Sequence, residues 1–160
     1  MDLDAFDLKL LSLLQVSTRG TAEELAATVG LSPSACLRRV RRLREAGVIE
    51  AEVAVVSPRA VGRELTMVVQ VALERERADI IDAFKRAMRA TPEVMQCFYV
   101  TGEIDFILVV TVPSMEDYEA FTNRFFFQNP NVRRFTTLVV MDRVKVGLAV
   151  PIDAARTAEA

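Results

Sequence analysis

Apolar residues recur every third or fourth place over the first 50 positions and switch to every second place near residue 65, so a helical segment is followed by one with strands. Leu3, Phe6, Leu10, Leu13 and Leu14 fall on one helical stripe, with Asp2, Asp4 and Asp7 at the end where a helix dipole favours acids. Thr21 and Glu24 have capping-box spacing ahead of Leu25, Ala26 and Val29, and Gly30 ends that short helix. Ser32 suits an N-cap and Pro33 the first turn of a third helix, which keeps Cys36 or Leu37, Val40 and Leu43 inward until Gly47. The valine-rich run "VIEAEVAVVSP" reads as an extended strand leaving the helices.

Beyond it, Leu65, Met67, Val69, Val71 and Leu73 share one face of a strand, and Ile80, Ile81, Phe84, Ala87 and Met88 give a helix. "EVMQCFYVTG" and "IDFILVVTVP" are strands around the turn "GEID". A capping pattern from Ser114 to Asp117 opens a helix through Tyr118, Phe121 and Phe125, and "VRRFTTLVVMDRVKV" is a last strand in which Asp142, Arg143 and Lys145 could pair across the sheet. Helical spacing from Phe121 puts Phe125 in the core and leaves Phe126 and Phe127 at an interface or core edge.

The fold class expected is α+β: a three-helix (winged) helix-turn-helix domain over residues 1–50, a β linker over 51–62, a ferredoxin-like βαββαβ domain over 63–150 and a tail over 151–160. In that fold both helices cover one face of a four-stranded antiparallel sheet. The other face, with Val68, Ile107 and Val140, lacks a cover that a partner subunit would provide.

Charge sharpens this picture at one place. The formal net charge is −2, so no global basic excess announces a polyanionic partner, yet Arg38, Arg39, Arg41, Arg42 and Arg44 crowd about two turns of the third helix. Cys36 and Cys97 have neither disulfide-framework nor zinc spacing, and the acidic start is unlike a signal peptide. A cytoplasmic protein with no membrane, metal or cofactor requirement is expected. Catalysis is not expected either: there is no histidine, nucleophile elbow or phosphate loop, and Glu103 with Asp105 is a weak acid–base pair.

Two short helices joined at Gly30-Leu31, the second rich in arginine, have the pattern of a helix-turn-helix that lays its second helix in the major groove of double-stranded DNA. With Val40 and Leu43 inward, Ser32, Ser34, Ala35 and Arg38 stand near the helix start, where base edges are read. Arg39, Arg41, Arg42 and Arg44 are placed for phosphates. The plainer reading is a solvated helix face paired with Glu24 and Glu45, on a module that contacts protein and no longer binds DNA.

The chain resembles the Lrp/AsnC (feast/famine) family of transcription regulators. "LDAFDLKLLSLLQ", "ELAATVGLSPSACLRRVRRLREAGVIEAEVAVVSP", "PEVMQCFYVTGEIDFILVV" and "NPNVRRFTTLVVMDRVKVGLAVP" carry the resemblance over nearly the whole length. It departs at Glu52, where the family commonly shows an aromatic residue. The resemblance implies a DNA-binding domain followed by an effector and assembly domain, a homodimer that often builds octamers, and an amino acid or related small metabolite as effector. It also implies that the ligand lies between protomers against the turn Val100, Thr101, Gly102, Glu103, Ile104 and Asp105. There Gly102 would admit close backbone approach, free N–H groups would take a carboxylate and Asp105 an ammonium group. From the residues alone, the same turn is a plain hairpin connection with a solvated Asp105.

Overall fold

The computed structural model describes residues 2–75 and 77–152 and resolves them into two compact units, one of residues up to Ala54 together with those from Lys145 on, the other of Val55–Val144. In the first unit, α1 (Ala5–Leu14), α2 (Ala22–Val29) and α3 (Pro33–Glu45) enclose a small core of Leu10, Leu25, Ala26, Val29, Cys36 and Val40. Each helix starts on the side chain its sequence offers. Asp4 and Asp7 form one capping box on α1, Thr21 and Glu24 another on α2, and the Ser32 hydroxyl accepts the Ala35 N–H on α3. Gly30 takes φ +83°, the left-handed geometry that turns α2 into α3 at no Cβ cost.

The alternative left open on α3 is settled by burial: Cys36 is fully enclosed, whereas Leu37 is 57% exposed. The expected strand over Val48–Pro58 does not form. Residues 50–57 have no regular secondary structure and join no sheet among the described residues, and Val53, Val55 and Val56 are exposed. Strand-forming residues alone do not make a strand, because the ladder needs a second chain segment to bond with. For the same reason no paired wing follows α3 among the described residues.

In the second unit, β1 (Leu65–Leu73), α4 (Ala78–Arg89), β2 (Val94–Tyr99), β3 (Phe106–Val112), α5 (Met115–Thr122) and β4 (Val132–Val139) follow in the expected order. The sheet order is β2-β3-β1-β4, all antiparallel. Register pairs Met67 with Val110, Val69 with Leu108 and Val71 with Phe106, so the inward residues of β1 and β3 meet directly under α4 and α5. Phe84 of α4 packs on Phe106 at 4.5 Å between ring centroids, and the Tyr118 hydroxyl of α5 meets Thr137 Oγ1 of β4 at 2.6 Å.

Two expectations change here. The last strand stops at Val139, so Asp142, Arg143 and Lys145 have no strand across which to pair. After α5 the chain makes a single π-helical turn, Asn123–Phe127, and Phe126, not Phe125, becomes the buried ring. The wider turn inserts one residue into the periodicity, so the inward position moves from four to five residues beyond Phe121. The opposite sheet face carries Val68, Phe98, Ile107, Val109 and Leu138, with Phe98 and Leu138 about half exposed.

Candidate nucleic-acid interface and effector turn

Cys36, Val40 and Leu43 anchor α3 inward, which turns Ser34, Arg38 and Arg41 to the opposite, exposed face. Among the described residues Arg38 and Arg41 have no carboxylate within ion-pair distance, so their guanidinium groups stand in solvent. The hydroxyls of Ser32 and Ser34 lie 3.2 Å apart at the helix start, and Ala35 is half-buried. Leu37 is an apolar residue on the same exposed surface as Arg38, which the sequence left undecided.

The other three arginines are engaged. Arg39 Nη1 donates to Asp4 Oδ2 at 2.7 Å and to Asp7 Oδ1 at 2.8 Å, and its guanidinium lies 5.5 Å from the Phe6 ring centre. Arg42 Nη2 donates to Asp7 Oδ2 at 2.6 Å. Arg44 grips Glu52 through Nε and Nη2, both at 2.9 Å, in a two-pronged pair. The partners are therefore Asp4, Asp7 and Glu52, not Glu24 and Glu45. Glu24 is engaged in its own capping box.

Electrostatics follow these contacts. Hydrogen bonds donated to Asp7 and Asp4 push the Arg39 pKa up, and the bond to Glu52 does the same for Arg44, so both stay cationic. Burial works to raise the Asp4 pKa, but the Asp7 N–H and the Arg39 guanidinium outweigh it and hold the carboxyl below its usual range.

The six-residue connection from β2 to β3 contains the expected effector turn. Thr101, Gly102 and Glu103 are exposed, while Val100, Ile104 and Asp105 are half-buried. Gly102 has φ +124°, a conformation that side chains oppose, and no atom lies within 4 Å of where a Cβ would stand. Its glycine is required by backbone geometry with open space beyond it. Asp105 is not the solvated residue of a plain turn. Its Oδ2 accepts the Leu73 N–H at 2.6 Å and its backbone N–H donates to Val71 O at 2.9 Å, so it ties the turn to β1. Two cavities of about 280 and 310 Å³ lie elsewhere, the first lined by Arg59, Arg63 and Arg143 and the second by Ile80, Phe84 and Phe125. No group of three or more potential metal ligands occurs among the described residues.

A compact trihelical unit with free cations on its third helix, joined in one chain to a ferredoxin-like unit, defines a helix-turn-helix regulator with a separate sensing domain. Comparison with known proteins gives the same division. The AsnC-type helix-turn-helix domain matches residues 3–44, and the Lrp/AsnC ligand binding domain matches residues 66–150. An uncharacterized HTH-type transcriptional regulator of Sinorhizobium fredii is 60% identical over 153 residues, covering 96% of this chain and 90% of that one. The leucine-responsive regulatory protein of Escherichia coli is 35% identical over 144 residues, covering 90% and 88%. A Neisseria meningitidis transcriptional regulator solved in complex with L-methionine superposes with a TM-score of 0.87 at 32% identity, covering 95% of this chain and 98% of that one. The chain belongs to the Lrp/AsnC family of transcriptional regulators, with a helix-turn-helix DNA-binding domain and a ligand-binding domain.

Proposed function

We propose that the protein regulates transcription by reading a specific duplex sequence through the start of α3, and that an amino acid or related small metabolite modulates it through the ferredoxin-like unit. The observation that carries this reading is the pair of guanidinium groups, Arg38 and Arg41, that have no carboxylate partner among the described residues and stand on the exposed face of α3 beside Ser34. Arg38, with Ser32, Ser34 and Ala35, is assigned to base edges, and Arg41 to a phosphate. Arg39 and Arg44, bound to carboxylates, are assigned to holding the helix and the linker, a narrower phosphate set than the arginine run alone suggests.

The chain works as a homodimer that can assemble further, to an octamer in the arrangement common in the family. Support comes from the open apolar sheet face with Val68, Ile107 and Leu138, which a second copy would cover. Two recognition helices about 34 Å apart then meet successive major-groove faces of a pseudo-palindromic site. The effector is placed at Val100, Thr101, Gly102, Glu103, Ile104 and Asp105, with exposed Gly102 offering its backbone to a carboxylate and Asp105 Oδ1 facing an ammonium group. The L-methionine complex of the Neisseria meningitidis relative supports the amino-acid class.

The test is a salt titration of full-length protein on duplex DNA, joined to a thermal-shift screen of the common amino acids. Affinity is expected to fall steeply with salt, and at least one amino acid is expected to raise the melting temperature. Salt-independent binding, or none, overturns the DNA reading in favour of a protein-contact module. No shift with any amino acid moves the effector to another metabolite class.

A further inference from the structure

Asp7 is a carboxylate with no exposed surface, and burying a charge is costly unless it is paired and hydrogen-bonded. Its two oxygens are met by two arginines of α3 in different ways. Arg39, with 21% of its side chain exposed, directs one nitrogen at both Asp4 and Asp7 and lies over Phe6, so it is enclosed by the N-terminal end of α1. Arg42 donates only through Nη2 and keeps 48% of its side chain exposed. A guanidinium carries five N–H donors in a rigid plane, so the Nε–H and the Nη1 hydrogens of Arg42 stay uncommitted to Asp7 once Nη2 is bound.

We propose that Asp7 is a positioning residue for DNA binding: it fixes Arg42 by one nitrogen so that the remaining N–H donors of the guanidinium meet a backbone phosphate. This rests on the DNA reading above and adds a residue to it that lies on α1, outside the recognition helix. An unrestrained arginine loses rotamer freedom on binding, and a carboxylate behind it removes much of that loss in advance. Charge balance separates the roles further. Asp4 and Asp7 neutralise Arg39 and Arg42 as a group, so long-range attraction comes from Arg38 and Arg41, and Arg42 contributes a short-range, directional phosphate contact.

Because a phosphate contact is independent of sequence, a mixed-sequence duplex of about 30 base pairs serves as probe, with full-length protein titrated by fluorescence anisotropy between about 50 and 200 mM salt. Arg42→Gln is expected to weaken binding about tenfold and to flatten the slope of log affinity against log salt by about 0.9 per recognition helix. Arg42→Lys keeps the charge without the fork. It should retain the slope but not the affinity. Asp7→Asn is expected to weaken binding several-fold in the wild-type background and to add nothing when Arg42 is already Gln.

Equal losses from Asp7→Asn in both backgrounds would show that Asp7 only stabilises the domain. Tighter binding by Asp7→Asn, or wild-type affinity and slope in Arg42→Gln, overturns the proposal as well. If Asp7→Asn does not fold, Arg42→Lys decides, since the compact ammonium on a flexible stem lacks the rigid planar donors by which one carboxylate fixes the direction of the others: wild-type affinity overturns the proposal, and weakened binding at unchanged slope supports it. Failure of the wild-type protein to show salt-dependent binding is a different result, and it removes the DNA reading itself.

Discussion

Asp105 shows how a single side chain can be misread from its neighbours in sequence. Beside Gly102 and Glu103 it looks like an exposed turn residue free to meet a ligand, but its Oδ2 receives the N–H of Leu73, a residue far away in the chain. The same holds for Asp7, whose partners Arg39 and Arg42 lie on another helix. Local patterns disclosed the caps at Thr21 and Ser32 because cap and target are three residues apart; contacts that depend on how helices or strands meet have no such trace. Removing the Asp105 acceptor leaves the Leu73 N–H without its partner, which costs about 1–3 kcal/mol when such a group is buried. Asp105→Ala is therefore expected to lower the melting temperature clearly. Thr101→Ala and Glu103→Ala, at exposed positions, should stay within about 0.5 kcal/mol of wild type. Comparable stability of all three variants in urea unfolding would show that Asp105 does not support the turn.

Among the elements, those whose apolar period is uninterrupted were legible and those that change period were not. β1 alternates from Met67 to Val71, and its inward Met67, Val69 and Val71 are among those the pattern names; the alternation ends at Ala72, which is also buried and where the register against β4 shifts. The helix from Met115 keeps a period of 3.6 only to Thr122. The π turn that follows shifts its register by one place, and no single-sequence period anticipates that insertion. The valine-rich linker failed for a different reason, since its composition suits a strand but no ladder partner lies beside it. The three consecutive phenylalanines make the π turn testable. Phe126 packs edge-on against Phe121 and also meets Phe135, Phe125 is half-buried, and Phe127 is 70% exposed. Phe126→Ala is expected to cost about 3–5 kcal/mol, as for a fully buried ring. Phe125→Ala should cost less and Phe127→Ala least. A continuous α-helix would give the largest loss at Phe125, so the rank order by chemical denaturation decides between the two geometries.

For the whole molecule, a net charge of −2 gives no global attraction for a polyanion, so the DNA contact proposed above depends on local cations such as Arg38 and Arg41. The two units are also unequally built. Among the described residues the buried cluster of the second unit contains Phe84, Phe106, Phe121, Phe126 and Tyr118, whereas that of the first is made of Leu, Ala, Val and Cys and has no buried aromatic ring. Aromatic rings bury the largest apolar areas, and hydrophobic stabilisation scales with area at about 25 cal/mol per Å². The first unit is therefore the one expected to open more readily, and the one whose stability depends most on what it binds. Ligand at about 100 times its dissociation constant adds about 2.7 kcal/mol to the unit that holds it. In hydrogen exchange, amides of α1 to α3 should open at lower free energy than those of β1 and β3. Saturating duplex DNA should raise protection in the helices first, narrowing the gap between the units. If the units exchange at one common free energy without DNA, they unfold as a single cooperative block, and an effector bound at the sheet stabilises the recognition helix to the same extent.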